Sequence, residues 1–252
     1  MTAAIHKKID QAYRIFDLAL QIEDKPLILA NSGGKDSLVL YHLAKSKGYN
    51  IPIIHSNTTI DPPGTLGYIR RVMPETAIIQ PKLSFLQLIE KKAFPVRRTR
   101  YCCEILKENF GKGKAVIEGV RADEGNERKG RDYIQCDSRA KMKGTTHIYP
   151  IYDFTTVEIW QYIIYNDLEV APCYYDGMNR LGCVGCPLAS VKNRRKEFEM
   201  YPKFRAAITK AITRGMAANP QWKISQCTQG GGDRAFEWWL SGKTMNEYFK
   251  LY

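Results

Sequence analysis

Residues 26–43 read PLILANSGGKDSLVLYHL, and this stretch decides the fold class. Its first five residues are apolar and have the length of a buried strand. The polar and glycine-rich residues 31–37 form a turn, after which residues 38–43 follow the spacing of a helix. A buried strand that leads through a tight turn into a helix is the first half of a β–α–β unit.

The turn SGGKDS, at residues 32–37, has the composition of an anion-binding loop. Two glycines let backbone N–H groups turn inward, and the helix that follows adds unpaired donors and a partial positive charge. It is not a Walker A loop, because Leu29 stands at the place of the first glycine and Asp36 follows the lysine. The alternative is an ordinary strand–helix turn, in which the glycines allow the backbone to turn and the loop binds no anion. The residues predicted to bind the anion are Ser32, Gly33, Gly34, Lys35 and Ser37.

The alternation of strands and helices continues on both sides of this stretch. Further strands are predicted at residues 51–54, 76–80, 115–120 and 148–152, and helices at residues 5–22, 64–72, 84–92 and 155–165. Strands separated by helices imply right-handed crossovers and a mainly parallel sheet. We therefore predict an α/β fold, a doubly wound mainly parallel sheet with a C-terminal irregular and helical extension.

The extension begins where the alternation stops. Residues 171–190 are rich in Gly, Pro and Cys and are predicted to be irregular, whereas residues 192–217 are basic and follow helical spacing. The predicted organisation is an N-terminal helix at residues 1–24, an α/β domain at residues 25–170 that carries the SGGKDS loop, and an extension at residues 171–252.

The composition is that of an ordinary globular protein with a basic surface. The 252 residues include 38 Lys and Arg against 26 Asp and Glu, a formal charge of +12, which suits polyanionic ligands such as nucleotides or nucleic acid. No apolar run reaches the roughly 18 residues of a membrane span, and charges interrupt the N-terminus every few residues. We expect a cytoplasmic protein that does not enter a membrane.

The SGGKDS loop resembles the PP-loop of the ATP pyrophosphatases, enzymes that cleave ATP between the α and β phosphates and adenylate a substrate. The resemblance implies a sheet of the adenine nucleotide α-hydrolase type, which agrees with the alternation described above. It implies that the loop holds pyrophosphate and that Asp36 helps to hold Mg²⁺. Lys35 and Asp36 are then catalytic as well as nucleotide-binding.

Four of the seven cysteines stand in two close pairs, Cys102-Cys103 and Cys183-Val-Gly-Cys186. In a reducing compartment, clustered cysteines indicate metal or redox chemistry. Four thiolates suit Zn²⁺ or a [4Fe-4S] cluster, and a vicinal pair can also be two buried apolar residues. Adjacent side chains point apart, which strains a site for one small ion but suits the separate iron atoms of a cluster. We favour the cluster; zinc, a redox dithiol and no metal remain open.

The spacing of the two cysteine pairs resembles the cluster signature of assimilatory adenylyl-sulfate reductases. Three other segments are similar to the phosphoadenosine phosphosulfate reductase family and its sulfur-transfer relatives: NTTIDPPGT at 57–65, EGVRADEGNER at 118–128, and YPI at 149–151 followed by VEIW at 157–160. The resemblance implies that the four cysteines bind a [4Fe-4S] cluster and that Arg121 is catalytic. It adds to the predicted nucleotide site the residues Asn57, Gly119, Arg121, Glu124 and Arg128.

Two features depart from the reductases of this family. Their phosphate loop is usually degenerate, whereas SGGKDS is intact, which favours cleavage of ATP. They end in a Glu-Cys-Gly-Leu-His tail that bears the nucleophile, whereas this sequence ends in EYFKLY. Cys227, beside three glycines at 230–232, is the one cysteine in that region. We interpret it as a spare thiol, with a catalytic nucleophile on a mobile loop as the alternative.

Three basic segments, at residues 97–100, 121–143 and 192–196, adjoin these motifs and predict an anionic substrate surface. The resemblance implies an enzyme that binds ATP and Mg²⁺, adenylates an acceptor, releases pyrophosphate and supports sulfur insertion with a [4Fe-4S] cluster. The expected acceptor is anionic, tRNA or DNA, and the expected sulfur donor is a cysteine desulfurase or a thioredoxin-like reductant. The alternatives are a sulfonucleotide reductase, which takes adenylyl sulfate and forms sulfite, and a nucleotide- or nucleic-acid-binding redox sensor.

Overall fold

The computed structural model describes residues 2–22, 24–139 and 142–250, so that Lys141 of the second basic segment lies outside the described residues. The chain folds as two compact units, each assembled from separate segments. The first unit comprises Met1–Ser56, Pro63–Ile79 and Glu108–Leu181. The second unit comprises Asn57–Pro62, Gln80–Lys107 and Gly182–Tyr252.

This division differs from the predicted boundary after residue 170. The segments 57–62 and 80–107 belong with the C-terminal residues, because their apolar side chains pack in a separate core. Ile60 and Phe85 are buried there together with Phe236. Sequence spacing alone does not show that these two segments pack with the C-terminal residues, since each segment has ordinary apolar periodicity.

The described residues form six strands and twelve α-helices. The strands are β1 Leu27–Ala30, β2 Ile53–Ser56, β3 Thr76–Ile79, β4 Ala115–Ile117, β5 Ile134–Cys136 and β6 Thr146–Ile148. The helices are α1 Ala3–Leu20, α2 Lys35–Ser46, α3 Thr65–Val72, α4 Phe85–Lys92, α5 Tyr101–Cys103, α6 Thr156–Tyr165, α7 Pro172–Tyr175, α8 Val191–Met200, α9 Pro202–Ala218, α10 Lys223–Thr228, α11 Gly232–Ser241 and α12 Met245–Phe249. Among these helices, none has the length and apolar character needed to cross a membrane.

The strands form one sheet in the first unit, in the order β3-β2-β1-β4-β6-β5. Neighbouring strands are parallel except β5 and β6, which pair antiparallel. The chain moves outward from β1 to β2 and β3 and then returns to the other side of β1 to form β4. This arrangement confirms the predicted mainly parallel α/β fold. In sheets of this kind, ligands bind at the carboxyl ends of the strands where the strand order reverses, here between β1 and β4.

The last predicted strand, at residues 148–152, is wrong in its position. β6 ends at Ile148, and residues 149–152 form a turn in which the Tyr152 N–H donates to the Tyr149 carbonyl at 3.2 Å. Pro150 has no N–H to offer a neighbouring strand, so the ladder of hydrogen bonds ends before it. The sequence analysis also missed β5, whose three residues are too few to show a periodic pattern.

One apolar core joins the sheet to the helices of the first unit. Leu29 of β1 and Ile117 of β4 are fully buried and belong to the same cluster as the apolar faces of α1, α2, α3 and α6. α6 begins after the predicted cap, Thr155, whose hydroxyl accepts a hydrogen bond from the Glu158 N–H at 3.2 Å. This core holds the carboxyl end of β1 and the start of α2 in fixed positions.

The second unit is helical and has an aromatic core of its own. Phe94 stacks on Trp239 with ring centroids 4.7 Å apart, and the Trp239 indole N–H donates to the Pro95 carbonyl at 2.7 Å. The predicted basic helix at residues 192–217 is two helices, α8 and α9. Pro202, at the first position of α9, has no N–H with which to continue α8.

Candidate functional site

The loop between β1 and α2 has the geometry of an anion-binding turn. Gly33 has a φ of +76°, and a Cβ added to it would lie 3.0 Å from the Ile69 side chain, so this position requires glycine. The Asn31 side chain accepts a hydrogen bond from the Gly33 N–H at 2.8 Å. The turn thereby places the first residue of α2, Lys35, just beyond the carboxyl end of β1.

Three hydroxyl groups form hydrogen bonds with the backbone of this loop. The Tyr174 hydroxyl accepts a hydrogen bond from the Lys35 N–H at 2.9 Å, and the Ser32 hydroxyl accepts one from the Gly34 N–H at 3.3 Å. The Ser37 hydroxyl donates to the Gly34 carbonyl at 2.9 Å. Burial raises the pKa of Tyr174 to about 12, so its hydroxyl stays protonated at neutral pH. Helix N-terminal N–H groups beside neutral hydroxyls form a setting that favours an anion.

Three predicted catalytic residues form an ion network at this loop. Lys35 Nζ lies 2.9 Å from one carboxylate oxygen of Asp36, and Arg121 Nε donates to the other at 2.7 Å. Lys35 is 5% exposed and Arg121 is 1% exposed. Arg121 also donates to the Phe154 carbonyl at 3.1 Å and to the Thr156 hydroxyl at 3.3 Å. Arg121 also pairs with Asp123 at 3.4 Å, so two cations and two carboxylates form one balanced network at the loop.

The segment after β4 lies against the start of α2. A Cβ added to Gly119 would be 3.0 Å from Asp36 Cβ and 3.2 Å from the Asp36 carbonyl carbon, so the close approach of the two segments depends on glycine. The Arg121 N–H donates to the Glu124 carboxylate at 3.2 Å, and the same carboxylate pairs with Arg128. The structure thus brings the predicted residues of the SGGKDS loop and of this segment together where the strand order reverses.

Two predicted site residues, Asn57 and Cys227, belong to the second unit. Asn57 follows β2; its amide donates to Gln80 Oε1 at 2.7 Å and its oxygen accepts from the Thr59 N–H at 2.9 Å. Cys227 lies within α10, which continues to Thr228, and not on the mobile glycine loop of the alternative interpretation. The roles assigned to these two residues stay predictions.

The four paired cysteines line one pocket in the second unit. Cys102 and Cys103 end α5, which continues as a π-helical turn, and Cys183 and Cys186 come from the loop that precedes α8. The other residues of the pocket wall are Thr58, Ile60, Phe85, Leu106, Lys107, Val184, Gly185 and Pro187. Two pairs that are eighty positions apart in the sequence therefore meet around one space, as a shared metal site requires.

The thiols of this pocket influence one another's protonation. A hydrogen bond with Cys103 and burial raise the pKa of Cys102, and the charges of Cys103, Cys183 and Cys186 raise it further. Burial also raises the pKa of Cys183, against the opposing effect of the Lys107 ammonium. Burial and the neighbouring thiols therefore favour the protonated form of Cys102 and Cys183. A metal that binds here must displace those protons.

Backbone hydrogen bonds and a tightly packed glycine hold the loop that carries Cys183 and Cys186 in place. Gly185 has a φ of +72°, and a Cβ added to it would lie 2.3 Å from the Phe198 ring, so only glycine is compatible with this packing. The Gly185 N–H donates to the Glu197 carboxylate at 2.7 Å, and the Val184 N–H donates to the Ile60 carbonyl at 2.9 Å. These contacts fix the loop to α8 and to the segment 57–62.

The pocket offers four thiols, the ligand type that Zn²⁺ and a [4Fe-4S] cluster both accept. Within residues 2–22, 24–139 and 142–250, no group of three or more His, Cys, Asp or Glu side chains is arranged to hold a single metal ion. The four thiols instead line a shared pocket, and a cluster takes one thiolate at each of its four iron atoms. Arg100 Nη1 lies 4.0 Å from Cys103 Sγ and places positive charge next to the sulfur ligands.

The predicted Mg²⁺ ligand, Asp36, has both carboxylate oxygens bonded to cations. Lys35 takes one oxygen and Arg121 the other. The part of the chain that the structure describes therefore offers no protein cage for Mg²⁺. A Mg²⁺ ion that enters with a nucleotide is commonly held by the phosphates and water together with one or two carboxylates.

The sequence analysis missed two residues that belong to these sites. Lys107 interacts with Cys183 in the cysteine pocket. Its spacing was a usable signal, because it stands four residues after Cys103, about one helical turn along the chain. Tyr174 contacts the loop from 139 residues away in the sequence, and no local pattern indicates such a contact.

A model of the phosphoadenosine phosphosulfate reductase domain matches residues 26–189. The chain belongs to this domain family. The matched residues include the SGGKDS loop, the segment after β4 and all four paired cysteines. The family assignment therefore covers both candidate sites.

Three relatives are 25–28% identical to the chain over the aligned residues. An uncharacterised protein of Methanocaldococcus jannaschii is 28% identical over 182 residues, which are 68% of this chain and 44% of that protein. A second protein of the same organism is 27% identical over 192 residues, and the match covers 40% of it. The chain thus spans less than half the length of these two relatives. The adenosine 5'-phosphosulfate reductase of Bacillus cereus (strain 03BB102) is 25% identical over 70% of this chain and 80% of the reductase.

Solved structures share the fold of this family member. The phosphoadenylyl-sulfate reductase from Candida auris superposes with a TM-score of 0.53 at 17% identity, over 73% of this chain and 96% of that chain. The FMN adenylyltransferase from Candida glabrata in complex with ATP superposes with a TM-score of 0.52 at 16% identity, over 73% of this chain and 62% of that chain. At these identities the likeness shows the fold alone.

Proposed function

We propose that the chain is an ATP-dependent enzyme that adenylates an acceptor and supports sulfur transfer. The observation that supports this most directly is the intact SGGKDS loop at the reversal of strand order. Its helix N-terminal donors, its hydroxyls and the ammonium of Lys35 are suited to the pyrophosphate part of ATP. A sulfonucleotide has no β,γ-pyrophosphate and needs no such loop.

The proposed reaction has two steps, adenylation of the acceptor and displacement of AMP by sulfur. An acceptor oxygen attacks the α-phosphorus of ATP, the bond to the bridging oxygen breaks, and pyrophosphate leaves. Lys35 and Ser37 stabilise the charge that develops on the leaving pyrophosphate. A sulfide-level nucleophile then attacks the acceptor carbon, and AMP departs with the original oxygen. A persulfide donor requires two further electrons from a thiol reductant.

The cysteine pocket supports the sulfur-transfer half of this proposal. Its four thiols would hold a [4Fe-4S] cluster, which supplies redox chemistry when it is bound. Lys107, beside Cys183, and Arg100, beside Cys103, offset the negative charge of the thiolates. The pocket is part of the second unit, which also carries most of the net positive charge of the molecule.

The charge distribution supports a nucleic acid, tRNA or DNA, as the acceptor. The second unit has 19 Lys and Arg against 8 Asp and Glu, whereas the first unit has 19 against 18. Arg97 Nη1 lies 3.5 Å from the Leu188 carbonyl, which places residues 97–98 beside the loop that follows Cys186. Arg98 and Lys192 are exposed and make no hydrogen bond or ion pair with the described residues. Basic side chains of this kind contact phosphates and dominate nucleic-acid affinity.

Pyrophosphate release tests the proposed function. The protein is purified without oxygen, reconstituted with iron and sulfide, and incubated with ATP and either bulk tRNA or double-stranded DNA. We expect pyrophosphate that depends on one of the two acceptors, and the acceptor that stimulates release identifies the substrate class. If neither acceptor stimulates release while adenylyl sulfate is converted to sulfite, the proposal is wrong.

A sulfonucleotide reductase is the second candidate, and the named relatives favour it. The Bacillus cereus reductase aligns with 70% of this chain and 80% of its own length. In that reaction a thiol attacks the sulfur of adenylyl sulfate, AMP leaves, and a thioredoxin-like protein supplies two electrons to release sulfite. Sulfite without pyrophosphate identifies this candidate. Binding of ATP and nucleic acid without turnover would instead indicate a redox-sensing regulator.

A further inference from the structure

Arg194 is a buried cation with two unused hydrogen-bond donors. Its side chain, on α8, is 2% exposed, and Nη1 donates to the Trp239 carbonyl at 2.9 Å. Nε and Nη2 are buried and have no acceptor among the described residues. Buried N–H groups without a partner are rare in native proteins, and the penalty is larger when the group is charged. These two donors therefore indicate an interaction that is not made among the described residues.

Arg194 and the CxxC loop, residues 183–186, both lie against the Trp239 ring. The Arg194 guanidinium stacks over the Trp239 ring at 4.3 Å. A Cβ added to Gly185, in the middle of the CxxC loop, would lie 3.2 Å from the same ring. The Gly185 N–H also donates to Glu197, which stands three residues after Arg194 on α8. The guanidinium is thus positioned beside the loop that carries two of the cysteines.

Cys186 is the acceptor that suits these donors. The ionisable groups of opposite charge that act on Arg194 are Cys186 and Glu197. The Glu197 carboxylate accepts a hydrogen bond from the Gly185 N–H at 2.7 Å and none from Arg194 Nε or Nη2. A protonated thiol is a weak acceptor, whereas a metal-bound thiolate is charged and accepts readily. The donors of Arg194 therefore gain a strong acceptor when Cys186 binds metal.

We propose that Arg194 is a positioning residue of the cysteine pocket, whose Nε and Nη2 donate to the metal-bound thiolate of Cys186. The inference rests on the [4Fe-4S] cluster of the proposed function. Hydrogen bonds to the sulfur ligands of a cluster are among the factors that set its reduction potential. Outer-shell partners also hold the ligands in place, and their loss commonly weakens metal binding by about 10–100-fold.

A purely structural role is the competing explanation. Arg194 Nη1 donates to the carbonyls of Trp239 and Leu240, in the last turn of α11, where a cation stabilises a helix. If this is the whole role, substitution lowers stability to the same extent with and without metal. It leaves the potential of a bound cluster unchanged.

The test compares Arg194→Gln and Arg194→Lys with Arg195→Gln. Arg195 lies on the same helix but is exposed and pairs with Glu237, so its substitution removes the same charge from the surface. Each protein is reconstituted with iron and sulfide, and three quantities are measured: the rate of iron loss to a chelator, the midpoint potential of the cluster, and the melting temperature of the metal-free protein. The lysine variant keeps the charge. If the glutamine variant does not fold, the three quantities are compared between the lysine variant and the unmodified protein.

We expect Arg194→Gln to lose iron at least tenfold faster than the unmodified protein and to shift the midpoint potential to more negative values. Arg194→Lys should shift the potential less, because it keeps the positive charge, and Arg195→Gln should change neither quantity. Unchanged potential and iron loss in both Arg194 variants would overturn the inference. If the unmodified protein takes up no cluster, the failure lies in the proposed function instead.

Discussion

Lys35 shows how one residue can be buried and still suit a ligand site. Its ammonium is 5% exposed and bonded to Asp36, which Arg121 also neutralises. Removal of the lysine therefore leaves Asp36 with one cationic partner and does not strand a buried charge. The remaining function of Lys35 is to meet an anion at the start of α2.

We expect Lys35→Ala to weaken binding of a non-hydrolysable ATP analogue by more than tenfold, with the fold retained. A charged hydrogen bond to phosphate is worth about 1.5–3 kcal/mol, and 1.4 kcal/mol corresponds to about tenfold in affinity. Lys45→Ala is the matched control, because Lys45 lies on the same helix, is 44% exposed and pairs with Glu75. Calorimetric titration measures both affinities. Equal affinity in the two variants would remove the phosphate role of Lys35.

The cysteines separate into residues of the pocket and residues outside it. Serine at Cys102 or Cys183 should lower the iron content and the melting temperature of the reconstituted protein, because metal binding contributes folding energy and serine is a poor replacement for thiolate. Cys136→Ser, at an exposed position in the first unit, is the control and should change neither. Cys173 is 1% exposed in the core, so Cys173→Ser should lower the melting temperature but not the iron content.

Iron analysis and thermal melts of these four variants decide the assignment. A Cys102 or Cys183 variant with full iron and an unshifted melt would contradict the four-thiolate site. One tightly held zinc per chain in place of iron would refute the cluster and leave a zinc site.

At the scale of elements, Gly119 controls how closely the end of β4 approaches α2. We expect Gly119→Ala to cost about 1–3 kcal/mol of stability, because the new Cβ would meet backbone atoms of Asp36 and Ser37 at 3.2–3.3 Å. Nucleotide affinity should fall as well, since the start of α2 must shift. Gly67→Ala in α3 is the control: nothing lies within 4 Å of its added Cβ, and alanine favours a helix. Denaturant unfolding and analogue binding measure both effects; a stabilised Gly119→Ala would be incompatible with this packing.

β6, which lies between β4 and β5 in the sheet, carries a histidine between two carboxylates. His147 of β6 contacts Glu118 at 3.2 Å, after β4, and Asp137 at 2.9 Å, after β5. Burial alone would lower the pKa of His147, but the hydrogen bonds and charges of the two carboxylates outweigh it and raise the pKa. No local pattern in the sequence indicates these contacts, because the two carboxylates follow other strands.

This histidine predicts a dependence of stability on pH. A raised pKa in the folded protein means that the charged histidine stabilises the fold fully below its unfolded pKa of about 6.5, and that this contribution is lost as the pH rises through the folded value. His147→Gln should therefore lower the melting temperature more at pH 5.5 than at pH 8.5, by a few degrees. His6→Gln, at an exposed position near the start of α1, is the control. A larger loss at pH 8.5 would reverse the sign and refute the ion pairs.

Across the whole molecule, the net positive charge is concentrated in one of the two compact units. The second unit holds 19 basic against 8 acidic residues, and the first unit is nearly balanced. Such an asymmetry is not needed for folding, since like charges repel in the compact state. It is consistent with a polyanionic partner that the second unit binds.

We expect the double variant Arg98→Glu, Lys192→Glu to bind tRNA or DNA at least tenfold more weakly and with a smaller dependence on salt. Each lost phosphate contact reduces the slope of log affinity against log salt by about 1. The double variant Lys7→Glu, Lys112→Glu makes the same charge change at exposed positions of the first unit and is the control. Fluorescence anisotropy over a salt series measures both. Equal losses in the two variants would contradict a binding surface on the second unit.

Much of this molecule follows from patterns that are local in the sequence. The strand, turn and helix around SGGKDS, the cap at Thr155 and the two cysteine pairs depend on residues within one or two turns of one another, so their spacing is informative. The alternation of strands and helices likewise predicts a mainly parallel sheet, which the structure confirms. The errors fall on short or interrupted elements, such as β5 and the strand that Pro150 ends early.

The sequence by itself determined the class of fold, the anion-binding loop and the residue types of a thiolate site, because each depends on short-range spacing and side-chain chemistry. Only the tertiary structure decided which distant groups meet. It joined Arg121 to Asp36, placed the two cysteine pairs around one pocket, and left two donors of Arg194 unused in a buried position. These contacts depend on how separate segments pack into each core, and that packing is a property of the whole chain that no local pattern encodes.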